Sequence, residues 1–290
     1  MIRPGIALTT ALLLATTLTG CGEAASDASA SKCTQKVPDS SLITPNTLTD
    51  VVSDGLPPMT YIDEDGEYAG MRVELGRMIA DQLCLDFKVT SAIFDAQLAG
   101  LDGKRWDMVG SGAFYTPERA ESIDMVPYEV QGVSLSVPQG NPKDVQSVED
   151  LSGLTVAVES PGFEFDTLEK INAELEAKGT APFKLSGFTN TTDAYNALQA
   201  GQVDAVGIIG SVVKHYSDSG QFTTAIADLN PAPLALGFAD KGLAEAVAVA
   251  LEEMRSDGSL QKKFDEYGAA MWEGPFEVTT GPLKAAEKTS

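Results

Sequence analysis

The sequence predicts an α/β protein of two lobes joined by two crossing strands, and three observations carry that expectation. Short apolar runs alternate with segments of helical period along most of the chain, the pattern of strands packed against helices. The alternation runs twice, once up to the glycine-rich turn at 110–112 and again from residue 154 onward. Two extended apolar stretches, 131–137 (QGVSLSV) and 234–238, have room to pass from one lobe to the other. At 290 residues the chain can bury two cores of ordinary size.

The first 20 residues read as a processing segment. Arg3 supplies a short positive start, 6–18 an apolar, Thr/Ala-rich core too short to span a bilayer, and Leu18-Thr19-Gly20-Cys21 a small-residue cleavage site. That tetrapeptide resembles a bacterial lipoprotein lipobox. The resemblance implies cleavage before Cys21 and a diacylglycerol anchor on its thiol, which places the chain on the extracytoplasmic face of the cell membrane. Residues 21–39, small and polar over most of their length, are expected to form a flexible tether. With Cys21 lipidated, Cys33 and Cys84 remain as an even pair in an oxidising compartment, bonded to each other or buried as thiols.

Strand 47–52 opens lobe one. Gly55-Leu56-Pro57-Pro58 ends it, and Glu64-Asp65-Gly66 marks a turn whose acids lack the spacing of a calcium loop. Met71, Leu75, Met78, Ile79 and Leu83 recur at helical spacing, so 71–83 is a helix; strand 87–91 and helix 94–101 follow. In 106–119 (WDMVGSGAFYTPER) a short strand passes through a small-residue turn into a helix start, with Thr116 as N-cap and Pro117 at the first helical position. Arg119 is out of place there, because a cation in the first turn opposes the macrodipole at a cost of about 0.3 kcal/mol or more. A guanidinium fork beside a glycine-opened turn is a receptor for a carboxylate; the plainer reading is a surface pair with Glu118 or Glu121.

After Arg119 come a strand at 123–126, the crossing at 131–137 and a break at Gln139-Gly140-Asn141-Pro142. Lobe two then reads as a short helix from Ser147, strand 154–158, helix 165–177, strand 183–185, helix 192–200 and strands 203–209 and 223–226. The second crossing, 234–238, leads to helices 243–254 and 259–267.

Forty-two acids against 20 bases give a net charge of −22 with no basic stripe, which argues against nucleic acid and anionic membrane surfaces as partners. The chain has one histidine, His215, in a polar stretch expected to face solvent, and no G-x-S-x-G, P-loop, dinucleotide fingerprint or zinc-binding histidine pair. No cofactor or metal is expected.

Several segments in this layout, spread over about 45–270, resemble the solute-binding proteins of bacterial ABC importers, in the polar amino acid family. They are Pro57-Pro58-Met59-Thr60-Tyr61, Gly70-Met71-Arg72-Val73-Glu74-Leu75 (usually GFDVDL), Thr116-Pro117-Glu118-Arg119-Ala120, Val203-Asp204-Ala205-Val206 and Met254-Arg255-Ser256-Asp257-Gly258. The resemblance implies a type II periplasmic binding protein that traps its ligand by hinge closure and presents the closed form to a permease. Lobe one would be 40–132 plus 235–290 and lobe two 133–234, working as a monomer.

By the same resemblance Arg119 falls at the carboxylate-binding arginine. Gly112 and Phe114 fall where hydroxyl residues often assist it, and Gly162 and Phe163 at a small hydroxyl pair from lobe two. Phe94 falls on a wall that packs against the ligand, and Leu56 where an aromatic often stacks. Ile209 stands where an aspartate usually pairs with the ligand's amino group. Each departure removes polarity, and an enclosed ammonium without a counter-charge costs several kcal/mol, so Glu159 or Glu164 would have to supply the missing acid. Without such an acid, the expected ligand is a small carboxylate less polar than an ordinary amino acid. Two other functions fit this framework: a dehydratase using Glu159 or Glu164 as acid or base, and a sensory module.

Overall fold

The computed structural model describes residues 33–279 and Leu283. The processing segment, Cys21 and the start of the tether lie outside the described residues. Cys33 and Cys84 are both disulfide-bonded. Ordered contacts begin before the expected end of the tether at residue 39. The Lys36 N–H donates to Leu83 O at 3.0 Å, its ammonium pairs with Glu253 at 2.8 Å, and Val37 is buried. The tether prediction rested on composition alone, which does not register one valine finding a groove.

Lobe one begins with β1 (Thr47–Val52), a small hairpin of β2 (Tyr61–Ile62) and β3 (Tyr68–Ala69), then α1 (Met71–Leu83), β4 (Asp86–Ser91), α2 (Phe94–Asp102), β5 (Met108–Phe114) and the four-residue α3 (Pro117–Ala120). The long strand β6 (Asp124–Pro138) leads into lobe two: β7 (Thr155–Glu159), α4 (Phe163–Ala177), β8 (Lys184–Phe188), α5 (Thr191–Gln199), β9 (Ala205–Ile209) and α6 (Gly210–Asp218). A second long strand, β10 (Phe222–Phe238), returns to α7 (Lys241–Ser256), α8 (Ser259–Tyr267) and the short β11 (Ala270–Met271).

One sheet runs through both lobes in the order β4-β1-β5-β10-β6-β9-β7-β8. β1 pairs in parallel with β4 and β5, and β7 in parallel with β8 and β9, as β–α–β units require. β6 and β10 pair antiparallel along their length at the centre. They are the crossing strands, and each is longer than its sequence signal. Pro127 is carried inside β6 opposite a register shift between Leu234 and Ala235, which is where a residue without an N–H can sit in a central strand. In β10 the run 223–226 and the crossing 234–238 are one strand, interrupted by register shifts between Thr224 and Ala232 with Asp228 and Asn230 at positive φ. The prolines and the left-handed residues had made it read as two.

Helix α1 matches its predicted bounds. Met71, Leu75, Ile79 and Leu83 are buried on one face, each removal from water contributing about 1.5–3 kcal/mol, and Cys84 ends the helix in a left-handed conformation. In α7, Asp240 accepts from Leu243 N–H as the cap while Leu243, Val247, Leu251 and Met254 face inward. Helix α6 was missed. It has no side-chain cap, and its start at Gly210 follows directly on the apolar run of β9, so no boundary is written in the sequence.

A buried ion pair ties α1 to β6. Arg72 Nε donates to Glu129 Oε2 at 3.1 Å and Nη2 lies 3.0 Å from the same oxygen as an ion pair, with both side chains almost fully enclosed. Glu129 Oε1 also accepts from Gln131 Nε2 at 2.6 Å. Removing one partner strands the other charge in the core, so Glu129→Ala is expected to lower stability by about 3–5 kcal/mol. Urea denaturation checks this, and an unchanged midpoint would show that the pair carries no such constraint.

Candidate functional site

The expected turn at Gly110–Ala113 is not a turn: these small residues continue strand β5 to Phe114, where the chain is handed on to α3. Thr116 caps that helix, its Oγ1 accepting from Arg119 N–H at 3.2 Å. The Arg119 side chain folds back so that Nη1 donates to Phe114 O at 2.7 Å, and its guanidinium lies over the Phe94 ring, 5.1 Å from the centroid. Among the described residues it forms no ion pair with Glu118, Glu121 or any other acid. Burial pulls its pKa below the ordinary arginine value while Glu164, Asp166 and Asp95 act in the opposite sense. An arginine so placed stays charged and keeps donors for a ligand.

Gly112 has a specific reason to be glycine. Its φ is +77°, and a Cβ there would stand 2.6 Å from Arg72 Cζ. The Arg72 guanidinium therefore reaches the cleft across the bare backbone, where Nη1 also donates to Ser111 O. Below it, Ser111 Oγ donates to Gln97 Oε1 at 2.7 Å and accepts from the Ser53 N–H at 2.7 Å. Asp50, fully buried beside Gly110, has its carboxyl pushed well above the usual range by burial.

Lobe two supplies the facing wall. β7 ends in Glu159, the turn Ser160-Pro161-Gly162 follows, and α4 begins with Phe163 and Glu164. Glu159 Oε2 accepts from Thr191 Oγ1 at 3.2 Å. Burial, then the neighbouring Glu164, push the Glu159 carboxyl up to about 7 against that hydrogen bond. Burial also raises Glu164, opposed by its own backbone N–H and by Arg119 and Arg72. Ile208 and Ile209, at the end of β9, are buried and complete an apolar edge.

These elements enclose one cleft. It is lined by Arg119, Phe94, Gly112, Phe114, Leu56, Gly162, Phe163, Ile209 and Glu159, so the structure brings together every residue expected at a ligand site. Arg72, Ser53, Ser111 and Glu164 line it too. Arg72 was absent from the expected set although it carries the same signal as Arg119, a cation in a first helical turn. Phe114 and Phe163 meet across the cleft with centroids 3.9 Å apart and planes inclined by 15°, leaving a cavity of about 60 Å³. His215 lies exposed on α6, and among the described residues no group of acids, cysteines or histidine is placed to hold a metal ion.

Residues 48–270 match the bacterial extracellular solute-binding proteins, family 3. The chain belongs to that family. The L-cystine-binding protein TcyJ of Escherichia coli (strain K12) is 26% identical over 219 residues, covering 74% of this chain and 79% of that protein. The L-cystine-binding protein TcyA of Bacillus subtilis (strain 168) is 29% identical over 214 residues, covering 71% and 75%. Among solved structures, an ancestral arginine-binding protein bound to arginine superposes with a TM-score of 0.69 at 26% identity, covering 77% of this chain and 98% of that one. The two-lobed architecture of this family 3 protein is thus that of the type II amino acid-binding proteins, and the relatives named above are binding proteins.

The Glu159 environment has a stability consequence with a definite sign. The folded group holds its proton up to about pH 7, whereas the free carboxyl releases it near 4.5. Its contribution is therefore full below pH 4.5 and is lost as pH climbs through 7. Glu159→Gln, which keeps the shape without the charge, is expected to raise the melting temperature by about 2–4 °C at pH 8 and to leave it unchanged at pH 5. Equal shifts at both pH values in thermal melts would overturn this.

Proposed function

We propose that the protein is the substrate-binding component of an ABC importer and captures an amino acid or close derivative in the cleft between its lobes. The observation that carries this is Arg119: a guanidinium on the cleft wall, stacked on Phe94, forming no ion pair among the described residues. The ligand's carboxylate takes its fork, and backbone N–H groups at the 112–114 end of β5 replace the hydroxyls that stand there elsewhere in the family. Glu159 and Glu164, on the opposite wall, are the acids available to an α-ammonium in place of the aspartate whose position Ile209 occupies. This favours an amino acid over a ligand lacking the amine, in keeping with relatives named for cystine and arginine. The chain works as a monomer, held to the extracytoplasmic face through a lipid on Cys21, and delivers its ligand to a permease.

A micromolar ligand corresponds to about 8 kcal/mol of net binding free energy, and a charged, two-donor contact contributes about 1.5–3 kcal/mol of it. In isothermal titration with L-arginine and L-cystine, Arg119→Ala is expected to weaken binding of whichever binds by at least about tenfold, with Arg119→Lys between. Wild-type affinity in Arg119→Ala would remove Arg119 from the site. For the anchor, Cys21→Ser is expected to move the protein from the membrane to the soluble fraction in a phase-separation assay; retention in the membrane fraction would exclude lipidation at this cysteine.

A further inference from the structure

The cleft that binds the solute holds about 60 Å³ of free space, far below the roughly 300–1,000 Å³ of pockets that enclose small molecules. What fills it is part of the protein. Phe114, at the end of β5, is 4% exposed and belongs to a buried apolar cluster that runs through both lobes; Phe163, the first residue of α4, is only partly buried and packs against that cluster and against a second one confined to lobe two. Their rings lie nearly parallel at 3.9 Å, a contact closed across the gap between two lobes rather than within one element. Both stand in the lining beside Arg119, Gly112 and Gly162.

We propose that the Phe114–Phe163 stack is an internal latch that occupies the ligand's place and holds the lobes together, so that binding requires its opening. The inference rests on the cleft being the solute site. Phe163 is the movable half. It sits at a helix start after Ser160-Pro161-Gly162 and is only partly buried, whereas Phe114 is fixed in the sheet. The ligand then has to restore what it displaces, and the exposed face of Phe114 favours a flat group, aromatic or guanidinium, over a branched aliphatic one.

The test separates the latch from the site reading. Spin labels at the exposed positions Glu64→Cys in lobe one and Glu176→Cys in lobe two report the distance between lobes without any ligand added. Phe163→Ala and the more conservative Phe163→Leu are both expected to shift that distribution to longer distances; an unchanged distribution overturns the latch whatever the protein binds. With L-arginine as probe, Phe163→Ala is expected to bind about two- to tenfold tighter, the range of one aromatic pair. Weaker binding would mean that Phe163 grips the ligand instead, and would overturn the proposal. Failure of the site reading shows elsewhere, as undiminished binding in Arg119→Ala.

Discussion

The antiparallel ladder between β6 and β10 is the constraint on which the rest depends. Each strand spans both lobes, so the ladder fixes the register of lobe one through β5 and that of lobe two through β9. It also carries Glu129, whose carboxylate draws Arg72 inward from α1. With Arg72 held there, Gly112 can carry no side chain, and the end of β5 presents bare backbone to the cleft. The chemistry of one wall thus follows from a charge buried in a strand behind it.

Electrostatically the cleft is divided. Arg72 is neutralised by Glu129 before it reaches the surface of the cavity, so Arg119 is the cation left for an anionic group on the ligand. Across from it, burial makes both Glu159 and Glu164 hold protons more tightly than free carboxyls, and repulsion from Glu164 adds to the effect at Glu159. A bound cationic group would relieve that repulsion, and Glu159 would then release its proton. Anion and cation of a zwitterion thereby find opposite walls, although no aspartate stands at position 209.

Much of this was legible in the sequence, for local reasons. The helices with clear caps or a regular apolar stripe, such as α1, α7 and α8, have the bounds their periodicity implies or nearly so. Arg119 declared itself by violating the macrodipole preference next to a glycine-rich stretch. Arg72 commits the same violation, but its partner Glu129 lies far along the chain, and no local pattern connects a helix start to a strand of the opposite polarity. The aromatic stack was hidden for a similar reason. Phe114 and Phe163 were each expected on the cleft wall, but their contact exists only once the two lobes are set against each other. α6 and the true length of β10 were obscured by boundary signals: one helix lacked them, and one strand contained prolines and left-handed residues that ordinarily end strands.

Those interruptions in β10 also set where the two lobes are joined least regularly. Between Thr224 and Ala232 the register slips three times against β6, and Gly132 lies so close to the Asp228 backbone that a Cβ would stand 2.6 Å away. Toward Phe238 the pairing shifts once more, between Leu234 and Ala235. The crossing is therefore least regular in its middle, while the parallel strands on either side keep an unbroken register. A change of backbone angle at 225–231 would leave those parallel ladders paired as they are.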